Sequence, residues 1–96
     1  MRHYIALIHK EPDSAYGVSF PDVPGVIASA VSLDSALADA REALAFAAED
    51  WNSLAGAPFP KPRTLDALQD DAQFRARSAD AIVAAIPLSA NLGQAA

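Results

Sequence analysis

The sequence predicts an α+β domain with the element order β-β-β-α-β and a short extra helix ahead of the last strand. Three observations carry that expectation. Short apolar stretches near both ends of the chain either alternate with a period of two or are apolar on both faces, as strands do. A long central stretch, from about Leu33 to Leu54, repeats its apolar residues in alternating fours and threes, which marks one face of a helix. Prolines and glycines fall at the boundaries between these stretches. With 96 residues, 52% of them apolar, the chain forms one domain with a modest core of its own.

The first strand is expected over His3 to His9. Ile5 and Leu7 share one face, and Tyr4, Ala6 and Ile8 the other. Apolar residues on both faces suit a strand in the middle of a sheet with something packed on each side. One long helix covers only one face, which leaves the other as a candidate self-association surface. Glu11-Pro12-Asp13-Ser14-Ala15 then reads as a hairpin loop.

In the second strand Tyr16, Val18 and Phe20 point one way, and Gly17 and Ser19 the other. Pro21 and Pro24 end it, because each removes a backbone donor and fixes φ. Pro24-Gly25 suits the two central positions of a type II turn, with Gly25 at positive φ. Val26 to Val31 resumes an apolar, β-rich run as the third strand of a meander. Ser32 is placed to cap the helix, and Asp34 to sit against the positive end of its dipole.

On the helix, Leu33, Leu37, Ala40, Leu44, Ala47, Trp51 and Leu54 form the stripe that faces the sheet. Gly56 is a natural stop. The opposite face carries Ser35, Asp39, Glu42, Glu49 and Ser53. Phe46 falls near this polar face, roughly 130° from the stripe at 100° per residue. It is covered by the following PFP segment, by a rim contact with the sheet, or by a partner.

Ala57-Pro58-Phe59-Pro60-Lys61-Pro62 is extended, since alternating prolines push their neighbours out of the helical region. Its prolines are two apart rather than three, so a stiff connector anchored by Phe59 is expected instead of an SH3-type ligand. Thr64 caps a short helix, Leu65 to Gln69, with another turn over Asp70 to Arg77. Ala81 to Leu88 is the last strand. After a helical crossover it should run parallel to the third strand with a right-handed connection. Paired with the first strand, it gives a mixed four-stranded sheet of order 3-2-1-4 with one long helix packed on one face. Ser89 to Ala96 is expected to be a loose tail.

Charge and composition narrow the function classes. The net charge is −5, from twelve acidic and seven scattered basic residues. A basic stripe, the usual footprint of a nucleic-acid binder, is missing, so direct nucleic-acid binding is not expected. The negative charge suits a basic protein partner, or simply keeps a small protein soluble. There is no cysteine, hence no disulfide and no thiolate metal site. The apolar run Tyr4 to Ile8 is too short for a signal peptide or a membrane span. Those features point to a cytoplasmic protein.

Five segments, RHYIALIHK, YGVSFPDVPGV, SLDSALADAREAL, PFPKP and AIVAAIPL, resemble in order and length the N-terminal domain of the HicB family of antitoxins. The resemblance covers roughly residues 1 to 88, and YGVSFPDVPG is its most specific part. It implies a partial RNase H-like fold, a sheet order matching the one read above, and a small mRNA-cleaving HicA toxin as partner. Many members of the family continue into a DNA-binding domain. This chain ends about eight residues after its last strand, so the expected organisation is residues 1–88 as the antitoxin domain, 89–96 as a tail, and no DNA-binding domain.

Catalysis is not expected. RNase H enzymes hold two metal ions on converging carboxylates, one of them on the first strand. The first strand here carries no acid. His3 and His9 lie roughly 20 Å apart along that strand and do not meet on one ion. The serines fall in no G-x-S-x-G elbow, and the four glycines are spread singly. No cofactor is implied.

Two readings follow. The first is an antitoxin that neutralises a basic toxin by occlusion, with Asp39, Glu42, Phe46, Glu49 and Asp50 on the helix and Asp22 in the loop as contacts. The second is a solo binding module with a different partner. Either would form at least a homodimer, through Val26, Ala28 and Ala30 of the third strand and Tyr4 and Ile8 of the first.

Overall fold

The computed structural model describes residues 2–54 and 58–88. The stop expected at Gly56, the tail at 89–96 and the side chains of Ser53 and Leu54 lie outside the described residues. Strand β1 (Arg2–Lys10) is central, flanked by β2 (Tyr16–Ser19) and β4 (Ile82–Leu88), and β3 (Ile27–Ala30) pairs with β2 at one edge. The order is 3-2-1-4, as the two apolar faces of β1 require.

The loops are the turns that their residues dictate. Ser14 N–H bonds Glu11 O across Pro12 and Asp13, and Asp13 takes φ 61°, a conformation that aspartate tolerates. Phe20 to Val23 closes one turn over Pro21. Val23 to Val26 closes the next over Pro24-Gly25, with Gly25 at φ 98°. That is the type II geometry, and a side chain at position 25 would strain it.

Helix α1 (Leu33–Leu54) starts where Ser32 Oγ accepts the N–H of Ser35. Its inner line is Ala36, Ala40 and Leu44, all fully buried, flanked by Leu33, Leu37, Ala45, Ala48 and Trp51. The small residues Ala36 and Ala40 let the helix lie close on Tyr4, Ala6, Ile8, Val18 and Phe20. The expected stripe is right in direction but missed Ala36 and took Ala47 where Ala48 makes the contact. Phe59 anchors the proline segment as expected. Its ring lies 5.4 Å from that of Trp51, edge-on, and 5.7 Å from that of Tyr4, whose hydroxyl donates to Pro60 O.

Three expectations are corrected. First, two short helices, not one, precede the last strand. These are α2 (Leu65–Gln69), capped by Thr64, and α3 (Ala72–Ser78), capped by Asp71. Two caps, at Thr64 and Asp71, open two separate helices rather than one with an extra turn. Second, these helices cover part of the opposite sheet face. Leu68 and Phe74 pack on Leu7, with Ile5 and Ala81 beside them. Third, β4 is antiparallel to β1, so the sheet is antiparallel throughout rather than mixed. The parallel expectation assumed a single helical crossover. The chain instead crosses twice, along one face in α1 and over the other in α2 and α3. It therefore re-enters the sheet at the far end of β1, where Ile82 pairs with Ile8.

Candidate functional site

The outward face of α1 carries a run of exposed acids. Asp39, Glu42, Phe46 and Glu49 follow at spacings of three, four and three, so they stand in one line along the helix, with Asp50 beside it. All five are exposed, and Phe46 is 69% exposed. The line spans about 15 Å at 1.5 Å per residue. Within α1 there are five acids and one base, Arg41, so the helix carries −4 of the chain's net −5. Among the described residues none of these acids is in an ion pair.

Phe46 is uncovered by the proline segment, which packs on Trp51 and Tyr4 instead. Asp39, Glu42, Phe46, Glu49 and Asp50 are thus brought together on one free face.

Among the described residues, no three His, Asp or Glu gather as a metal site. His9 is engaged at the sheet end, with Nε2 2.9 Å from Arg77 O and 3.8 Å from Asp80. An open groove of about 480 Å³ lies between α2, α3 and β4, lined by Leu65, Gln69, Phe74, Arg75, Ser78 and Val83. Its polar groups serve the fold: Arg75 donates to Gln69 O, and Ser78 to Arg75 O. It pairs no acid with a base or nucleophile.

The family model described as the HicB-like antitoxin of bacterial toxin–antitoxin systems matches residues 4–94. The chain belongs to the HicB-like antitoxin family. Among solved structures, the Burkholderia pseudomallei antitoxin HicB aligns with a TM-score of 0.79 at 26% identity, over 95% of this chain and 66% of that one. This chain therefore spans a little under two thirds of that antitoxin's length. The N-terminal domain of the same antitoxin aligns with a TM-score of 0.73 at 26% identity, over 91% of this chain and 98% of that one. A chain from the HicA3 and HicB3 toxin–antitoxin complex shares the fold, with a TM-score of 0.70 at 22% identity, over 91% and 98% of the two chains. No curated protein matches. Among the described residues no helix is long and apolar enough to cross a membrane.

In this HicB-like chain Asp22 is not part of the acidic face. Its side chain is 7% exposed, and its carboxylate accepts the backbone N–H and the Nε–H of Arg63, both at 2.6 Å. Arg63 Nη1 reaches Asp71 at 3.1 Å. The guanidinium thus ties the PDVPG loop to the α3 cap. Its own pKa rises above the ordinary arginine value, chiefly through Asp22 and then Asp71. Asp71 is held below the usual carboxylate range, first by Arg63 and then by the N–H groups of Gln73 and Phe74. Nothing in the sequence near Asp22 announces a partner 41 residues away.

The expected association residues are also redistributed. Tyr4 and Ile8 lie in the core under α1, at 0% and 2% exposure, and present no surface. The even-numbered face of β1 proved to be the covered one. Val26, Ala28 and Ala30 are half-buried against the same core. The free residues at that edge are their neighbours: Ile27, 70% exposed, and Val31, 88% exposed.

Proposed function

We propose that this chain is an antitoxin that binds a small basic HicA-type toxin on the outward face of α1 and inhibits it by covering the surface that contacts RNA. One observation carries this reading: the free acidic line Asp39, Glu42 and Glu49, with the exposed Phe46 in its middle and most of the net charge on that helix. Membership of the family supports it. The chemistry is direct. Unpaired carboxylates on a rigid helix speed encounter with a basic partner, and a central aromatic side chain supplies the apolar contact that holds it. The antitoxin acts stoichiometrically in the cytoplasm and performs no reaction of its own, and residues 1–88 suffice for binding.

The test is co-expression with the product of any small basic gene adjacent to this chain's gene. Wild type should rescue growth and co-purify as a complex. Changing Asp39, Glu42 and Glu49 together to Ala should weaken the complex at least tenfold and make its affinity less sensitive to salt, with unfolding unchanged. Phe46→Ala alone should cost more than about 1 kcal/mol of binding, in the range of interface anchors. Unchanged affinity in the triple variant would exclude this surface. No complex and no rescue with wild type would leave a binding module with a different partner.

A further inference from the structure

We propose that the groove between α2, α3 and β4 is a docking site for a short, extended, acidic segment of another protein. One large apolar side chain of that segment seats on Phe74, and a carboxylate two residues on meets Arg75. This does not depend on the antitoxin reading, because the groove lies across the sheet from α1. Val83 stands opposite Leu7 in the sheet, and Leu7 and Phe74 belong to the cluster on the second face.

The groove supplies the apolar half of such a site. Its floor is the buried Phe74, and its walls are Leu65 and Val83, 38% and 40% exposed. Two of the large apolar side chains left in solvent thus meet across one concavity. Its volume of about 480 Å³ falls within the roughly 300–1,000 Å³ of ligand pockets.

Charge decides the class of occupant. Arg75 is the one charged residue in the lining. Its Nη1 donates to Gln69 O at 2.7 Å, which holds the guanidinium at the rim. Among the described residues it is in no ion pair, so its other N–H groups have no carboxylate to meet. A guanidinium fixed in this way presents a fork that fits a carboxylate. The side-chain amide of Gln69 lines the same rim and adds a donor. A nucleic acid is charged along its whole length and is repelled by the net −5 of the chain. One acid on a short segment is attracted locally.

The strand β4 decides the form. Among the described residues it has a neighbour on one side only, which leaves main-chain groups along its outer edge to pair with an added strand. Pro87 lacks an N–H and limits pairing to the stretch before it, Ile82 to Ile86. Five residues span about 16 Å, room for a short strand whose alternate side chains turn toward the groove. That alternation places the apolar and the acidic side chain two residues apart.

Titration of the ¹⁵N-labelled full chain with N-acetylated, C-amidated pentapeptides tests the proposal. The peptide TFTET should shift the amide signals of Leu65, Gln69, Phe74 and Val83 and saturate with a Kd below about 1 mM. TFTQT and TATET should each bind at least about fivefold more weakly. Arg75→Gln should weaken TFTET as much as the change to TFTQT does, and in that variant the two peptides should bind alike. Val83→Glu, at an exposed position, should also weaken TFTET at least fivefold. Circular dichroism shows that both variants fold. No shift at these residues up to about 5 mM TFTET would overturn the site. Equal binding of TFTET and TFTQT would overturn the role of Arg75. Sodium hexanoate binding as tightly as TFTET would overturn the extended segment in favour of a small carboxylate. The same signals moving on dilution without peptide would give the groove to a second copy and overturn the proposal. The Asp39, Glu42 and Glu49 triple Ala variant should bind TFTET like wild type, so a failure of the α1 surface leaves every outcome readable.

Discussion

The two faces of β1 carry similar residues and meet different fates. Tyr4, Ala6 and Ile8 lie under a helix of more than six turns, joined by Val18, Phe20, Val23, Ile86 and Leu88 in one continuous core. Ile5 and Leu7 meet only the tips of two short helices, through Leu68 and Phe74. The first face is a layer, and the second is a patch. What differs is the reach of the covering element, not the hydrophobicity of the strand. A long helix with alanines at its contact line closes over several strands at once. A five-residue helix covers about one side chain.

The sharpest way to probe that difference is to cut the same group from each face. Leu44 and Leu7 are both fully buried. Leu44→Ala opens a void between α1 and the sheet that the rigid helix cannot close, and should cost about 4 kcal/mol, near the top of the usual 2–5 range. Leu7→Ala lies under short helices that are free to settle inward, and should cost about 2–3 kcal/mol. Urea unfolding of both variants measures the gap. Equal costs would mean that the second face packs as rigidly as the first.

A second cut tests what pins the short helices to the rest. Arg63 ties Asp22, in the turn after β2, to Asp71, at the start of α3. Arg63→Ala takes the guanidinium from the nearly buried Asp22 carboxylate and leaves it only the backbone N–H of residue 63, at a cost of about 1–3 kcal/mol. Arg63→Lys should recover little, since an ammonium does not hold both carboxylates in the forked geometry of a guanidinium. A lysine variant with wild-type stability would show that charge alone suffices. Thr64→Ala, which removes only the α2 cap seen at Ala67 N–H, should cost less, about 1 kcal/mol.

The sequence made legible whatever is decided within a few residues. Pro24-Gly25 specified its turn, Ser32 and Thr64 their caps, and the spacing Leu37, Ala40, Leu44 the inner side of α1. The acidic line on α1 was legible for the same reason, since a helix fixes which side chains share a face. Direction and pairing over longer distances were not. The antiparallel sense of β4 depends on how many times the chain crosses the sheet before it, which turns on an Asp71 cap with no apolar periodicity to announce it. Asp22 read as a free loop acid because its partner sits on a different element. At the β3 edge the parity was the difficulty. Val26, Ala28, Ala30 and Ile27, Val31 are both apolar sets, and only the packing of α1 decides which set is left outside.

The smallest effect sits at that same Asp71. Its carboxylate accepts the N–H groups of Gln73 and Phe74 and the Nη1 of Arg63, and these hold its pKa below the ordinary 3.8. Because the folded state favours the charged form, the contribution is fully present above the ordinary value and is lost as pH falls through the lowered one. Arg63 does not titrate in this window, as its own pKa is raised above the ordinary arginine value. Asp71→Asn keeps a side-chain oxygen to cap α3 but removes the charge. Wild type should therefore be modestly more stable than Asp71→Asn at neutral pH, and the gap should close as pH falls below the ordinary carboxylate value. Other carboxylates titrate there too, so the difference between the two unfolding midpoints, not either alone, is the readout. A gap that stays constant down to about pH 2 would show that Asp71 acts on α3 through cap geometry alone, and that the second face is held by packing and by the Arg63–Asp22 pair without it.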